Sequence, residues 1–133
     1  MTSYLWVALG GALGSTGRYA VGRAVARFAD GGFPLGTLIV NVSGSLLIGV
    51  LAGLAATEGR AALSADARAF LLIGVLGGFT TFSSFSLETL HLLRTGEWTG
   101  VALNVFGSVI LCLLAVSIGF AAASALSVGG RAS

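Results

Sequence analysis

The chain has 133 residues, 56% hydrophobic and only 9% charged, where a water-soluble domain carries about 25% charged side chains. That composition excludes an ordinary water-facing surface and points to an integral membrane protein. The seven basic residues, all arginine, exceed the five acidic ones by a formal +2, too small a surplus to serve nucleic acid.

Taken in order, the sequence predicts four membrane-spanning helices and no soluble domain. Residues 1–17 are uncharged; with Arg18 tolerated, a first helix is expected over about 4–23. Met1-Thr2-Ser3 offers no positive n-region, and Arg18 and Arg23 interrupt the run before Ala24-Val25-Ala26, so no cleaved secretory signal is expected. Pro34 suits a helix start and opens a second span over about 34–56. A third is expected over about 67–93 and a fourth over about 98–126, each long enough for a hydrocarbon core of ~30 Å. The connections are short, and the tail from Ser127 is small and polar.

Small residues recur four apart at Gly10/Gly14, Ser45/Gly49/Gly53 and Gly74/Gly78. Such faces let helices approach closely, either within one subunit or between two. The arginines give no clear orientation. Four spans place Arg60, Arg68 and Arg131 on one side and Arg23, Arg27 and Arg94 on the other, with Arg18 the only tie-breaker. The positive-inside rule needs an excess on one side. Two readings follow: one fixed orientation with a weak bias, or insertion in both senses, with oppositely oriented copies pairing as an antiparallel homodimer. Such a dimer would supply between two chains the inverted repeat that builds transport sites near the midplane.

Enzyme chemistry finds no footing. One histidine (His91) and one cysteine (Cys112) cannot form a Cys/His metal cluster or an internal disulfide. The glycine-rich runs lack the lysine of a P-loop and the ribose-binding acid of a dinucleotide fold. Polar residues form stripes instead. Thr37, Asn41 and Ser45 share one helical face, as do Asn104, Ser108 and Cys112. A lone hydroxyl in such a stripe is readily explained by helix–helix hydrogen bonding. An amide near the middle of a span has four sites to satisfy, so Asn41 is the stronger candidate for a pore. Arg18 fits two readings: a functional cation suited to an anionic permeant, or a side chain snorkelling to the interface. Glu88 and His91, one turn apart, either pair or flank a vestibule.

The third span carries the least lipid-like stretch, Gly74-Val75-Leu76-Gly77-Gly78-Phe79-Thr80-Thr81-Phe82-Ser83-Ser84-Phe85-Ser86. Non-helical backbone at membrane depth is tolerated only where it is buried in protein or lines a water-filled path. Phenylalanines at three-residue spacing alternate with hydroxyl donors. Packing is one reading of the rings. The other is a path in which ring edges, weakly electropositive, pass a small anion without holding it too tightly.

Together, Gly10-Gly11-Ala12-Leu13-Gly14 with Arg18-Tyr19, Gly36-Thr37-Leu38-Ile39-Val40-Asn41-Val42-Ser43-Gly44, and the third-span stretch closing on Leu87-Glu88 resemble the Fluc (CrcB) family of fluoride channels. The resemblance covers essentially the whole chain. It implies an all-α membrane protein with its third helix broken near the middle. It also implies an antiparallel dual-topology homodimer in the bacterial plasma membrane that passively exports fluoride through two interfacial pores. By the same resemblance Asn41 is the pore asparagine, Phe82 and Phe85 are pore phenylalanines, and Thr81, Ser83 and Ser108 lie along a polar track. Arg18 stands near the pore mouth. A structural sodium ion at the dimer centre would rest on the backbone carbonyls of Gly77 and Thr80, with Gly77 and Gly78 at the helix break. One departure is Asn104, where family members often carry tyrosine. Of the rival readings, a proton-coupled drug or cation exporter needs an intramembrane carboxylate, and the first two spans have none. A non-transporting scaffold leaves Asn41, Arg18 and the hydroxyl-rich third span unexplained together.

Overall fold

The computed structural model describes residues 2–29, 32–56 and 63–129. Arg60, Arg131, residues 57–62 of the second connection and the end of the tail lie outside the described residues.

Four helical rods follow one another. The first is α1 (Thr2–Val25) and the second α2 (Leu35–Ala56), which opens directly after Pro34. The third rod is segmented: α3 (Ala65–Arg68), a π-helical segment (Ala69–Leu76), α4 (Gly77–Phe79) and α5 (Phe82–Arg94). The fourth is α6 (Trp98–Gly129). Ser64 starts the third rod by accepting the Ala67 N–H at 3.2 Å, with Asp66 in the favourable first turn. Gly96 ends it: φ of 78° is open to glycine without penalty. The amides of Glu97 and Gly96 turn back to the carbonyls of Leu92 and Leu93, at 2.9 and 3.2 Å. This is the paired closure of a Schellman cap, and it lets α6 begin within three residues.

Glycines set the packing. On α2, Gly49 lies against the backbone of Val116 and Gly53 against that of Phe120, so α2 and α6 run in the same direction. On α1, Gly10 faces Gly74, and Gly14 faces Val75 and Phe79, so α1 and the third rod also run together. An added methyl at Gly78 would come within 3.0 Å of the Gly11 Cα, closer than packed atoms tolerate. Between α2 and α5 the order reverses, since Asn41 meets Thr81 while Thr37, earlier on α2, meets Glu88, later on α5. Successive rods therefore alternate in direction. The small-residue faces read from the sequence at Gly10/Gly14, Gly49/Gly53 and Gly74/Gly78 are used here within one chain.

The second, third and fourth rods are long and apolar enough to cross a bilayer, over Leu35–Ala56, Ala65–Arg94 and Trp98–Leu126. The first has the length, 24 residues or about 36 Å. Its glycines, hydroxyls and two arginines dilute its apolarity below that of the other three.

The third rod is broken, but not at the glycines. Gly77 and Gly78 are helical, Gly77 with φ −64° and ψ −36°. The chain opens one turn later, at Thr80 (ψ 157°) and Thr81 (φ −153°, ψ 117°). Lacking a Cβ, Gly78 serves close packing on α1. The interruption falls instead where side chains can take over the freed backbone groups.

Candidate functional site

Thr81 is extended, so its N–H and C=O have left the helical ladder. At membrane depth such groups need partners. Asn41 supplies both from α2. Its Oδ1 accepts the Thr81 N–H at 2.8 Å, and its Nδ2 donates to the Thr81 carbonyl at 3.0 Å. The amide thus stands in for a strand neighbour, and one of its two Nδ2 hydrogens remains for another acceptor. Thr81 then restarts the helix: its Oγ1 accepts the Ser84 N–H at 3.2 Å and donates to Ser84 Oγ at 3.1 Å. Ser83 Oγ lies 3.2 Å from the same hydroxyl. Thr80 Oγ1 folds back to the Leu76 carbonyl at 3.0 Å, and its methyl lies against Gly44 on α2.

These contacts have a second consequence. In a continuous helix the Gly77 carbonyl accepts from residue 81 and the Thr80 carbonyl from residue 84. Here the first donor is diverted to Asn41 and the second to the Thr81 hydroxyl. Both carbonyls are left without their customary donors. Hard cations such as sodium take oxygen ligands, so this pair fits the ion that the family resemblance implies. Among the described residues no group of His, Cys, Asp and Glu is placed to bind a metal.

Beside the break lies a cavity of about 410 Å³ lined by α2, the third rod and α6. Of the residues expected in the pore, Asn41, Thr81, Phe82, Phe85 and Ser108 line it together. Ser45 and Cys112 line it too, so the polar stripes of α2 and α6 face each other across it. Phe82 and Phe85 form one aromatic wall, with centroids 5.3 Å apart and planes tilted by 39°. Phe82 is 78% exposed, with Phe85 beside one side of its ring. Phe79 belongs to the packing, with its ring against Gly17 and Gly44. Ser83 touches the site only through Thr81. Arg18, half-buried on α1, lines neither this cavity nor the second one.

The second cavity, about 230 Å³, lies between the end of α1, the start of α2 and α5. Glu88 lines it, accepting the Thr37 hydroxyl at 2.7 Å, while its other oxygen is buried without a hydrogen-bond partner. His91 is exposed, and Glu88 finds its partner across the helix pair in Thr37. The signal for this was present in the stripe, because Thr37 stands one turn before Asn41 on the face that meets the third rod.

On α6 Asn104 is fully buried and joined to Thr89, a residue that sequence reasoning passed over. Thr89 lies just beyond the hydroxyl-rich stretch, and only the packing of α5 on α6 reveals its partner.

A family model described as "CrcB-like protein, Camphor Resistance (CrcB)" matches residues 5–120. The chain is 56% identical over 127 residues to a protein of Opitutus terrae named fluoride-specific ion channel FluC, covering 96% of each. It is 48% identical to a protein of that name from Paramagnetospirillum magneticum, covering 96% of this chain and 99% of the relative. With a Thermus thermophilus protein, again so named, the identity is 52% over 95% of this chain and 98% of the other.

Proposed function

The chain belongs to the CrcB-like family, and on that footing we propose that it is a fluoride-specific ion channel, a multi-pass protein of the bacterial cell membrane. The observation that carries this reading is the cavity at the helix break. It gathers an amide, hydroxyls and two phenylalanines, and among the described residues no carboxylate lines it. A small anion entering it meets donors: the spare hydrogen of Asn41 and the hydroxyl of Ser108. It also meets the electropositive edges of Phe82 and Phe85. Each contact is modest, as conduction requires, since sites must be strong enough to enter and weak enough to leave.

The working unit is an antiparallel, dual-topology homodimer with all four rods crossing the membrane and two pores at the subunit interfaces. Support for the fourth crossing comes from α1, which lies alongside the third rod in the same direction from Gly10 to Gly17. Support for the interface comes from Phe82, whose exposed ring gives the cavity an open wall that a second copy would complete. A structural sodium ion at the dimer centre would be held by the Gly77 and Thr80 carbonyls, supplying a fixed positive charge that ties the two breaks together. The family resemblance implies a role for Arg18 at the mouth, outside the two cavities of the single chain, and for Ser83 along the track. Export is passive. Hydrofluoric acid crosses membranes neutral and dissociates inside, and a potential worth ~2.3 kcal/mol per charge per 100 mV drives the anion out.

Fluoride efflux from liposomes containing the purified protein, with chloride as control, tests the reading. Fluoride flux with negligible chloride flux is expected; absent fluoride flux, or equal flux of both anions, would sink it.

A further inference from the structure

Behind the cavity wall runs a hydrogen-bond chain to which the channel reading assigns no role. Asn104 is 0% exposed and does not line the cavity. Its Nδ2 donates to Thr89 Oγ1 at 2.9 Å, and the Thr89 hydroxyl donates to the Phe85 carbonyl at 2.7 Å. With its one proton committed, Thr89 can only accept from Asn104. That fixes the amide orientation and turns Oδ1 toward Ser108, whose Oγ–H reaches it at 3.5 Å. Both ends of the chain are wall residues, Ser108 on α6 and Phe85 on α5.

We propose that Asn104, acting through Thr89, is a positioning residue for anion passage: it registers the Phe85 wall against the Ser108 wall and sets where the Ser108 proton points. This rests on the fluoride-channel reading. The need for such a device follows from the break. An unbroken helix would hand its register on from residue to residue, but α5 restarts at Phe82 after two extended residues and must take its position from its neighbours. The Asn104–Thr89 bond joins it to α6 one turn from each wall residue. The polarity also matters. A bond of 3.5 Å holds the Ser108 proton weakly, and an arriving anion offers a charge-assisted bond about twice as strong as a neutral one. The hydroxyl is therefore held aside when the path is empty and released when an anion stands beside it.

Fluoride efflux from liposomes, run on full-length variants with wild type in parallel, tests this. Thr89→Val keeps the shape and removes the acceptor; Thr89→Ser keeps the acceptor and removes the methyl. Loss of one hydrogen bond predicts about tenfold lower flux for Thr89→Val. Thr89→Ser should stay within about twofold of wild type on the same scale, and Asn104→Leu added to Thr89→Val should cost nothing further. If packing alone mattered, serine would be the damaging change. Thr89→Val at wild-type flux, Thr89→Ser as slow as Thr89→Val, or additive losses in the double variant would overturn the proposal. If Thr89→Val does not assemble, Thr89→Cys, a poorer acceptor of nearly serine's shape, carries the same expectation. Absent flux in wild type would instead overturn the channel reading itself.

Discussion

Asn41 carries two duties on one amide, and substitutions separate them. Asn41→Asp keeps an acceptor for the Thr81 N–H but cannot donate to the Thr81 carbonyl while ionised, and it places negative charge beside the anion path. Fluoride flux should fall by at least about tenfold, while gel filtration still shows an assembled protein. Asn41→Leu leaves both Thr81 groups unpaired and should lower stability as well, by about 1–3 kcal/mol, seen as a reduced melting temperature in detergent. Phe82→Ile keeps the bulk and removes the ring. An aromatic edge is worth about 0.5–1.5 kcal/mol, so flux should drop several-fold with assembly unchanged. Unaltered flux in both Asn41→Asp and Phe82→Ile would place the path elsewhere.

The elements are held by what their glycines permit, and two neighbours on α1 give opposite expectations. A methyl at Gly11 meets nothing within 4 Å, whereas one at Gly14 runs into the Val75 backbone and comes within 2.8 Å of the Phe79 amide nitrogen. Gly11→Ala should hold or slightly raise the melting temperature, because alanine is the better helix former by roughly 0.5–1 kcal/mol. Gly14→Ala should lower it, at a cost of about 1–3 kcal/mol for overpacking. The reverse order in thermal unfolding would show that α1 does not pack on the third rod as described. Within that rod, Thr81→Val removes the cap of α5 at about 1 kcal/mol.

At the scale of the whole molecule, the expectation is two copies in opposite senses. Reporter tags at the C-terminus should be found on both sides of the membrane; tags confined to one side would remove the antiparallel dimer. Replacing sodium in the buffer with a large organic cation should lower the melting temperature of the wild-type protein if the Gly77 and Thr80 carbonyls hold the ion. No change would remove sodium from the assembly.

The sequence by itself determined the membrane setting and the all-helical class, because apolar length and charge are properties of a linear segment. It also marked the third-span stretch as foreign to lipid and singled out Asn41, since a polar amide at membrane depth stands out against an apolar background; Phe82, Phe85 and Ser108 were legible only through the family resemblance. Only the tertiary structure decided what those groups do to one another. It moved the break from Gly77-Gly78 to Thr80-Thr81, where the Asn41 amide of another helix meets the opened backbone. It turned Glu88 to Thr37, set Phe79 into the packing between helices, and buried Asn104 against Thr89. Each depends on which residues of different rods stand at the same depth, and that is fixed by glycine-set packing between helices rather than by spacing along any one of them.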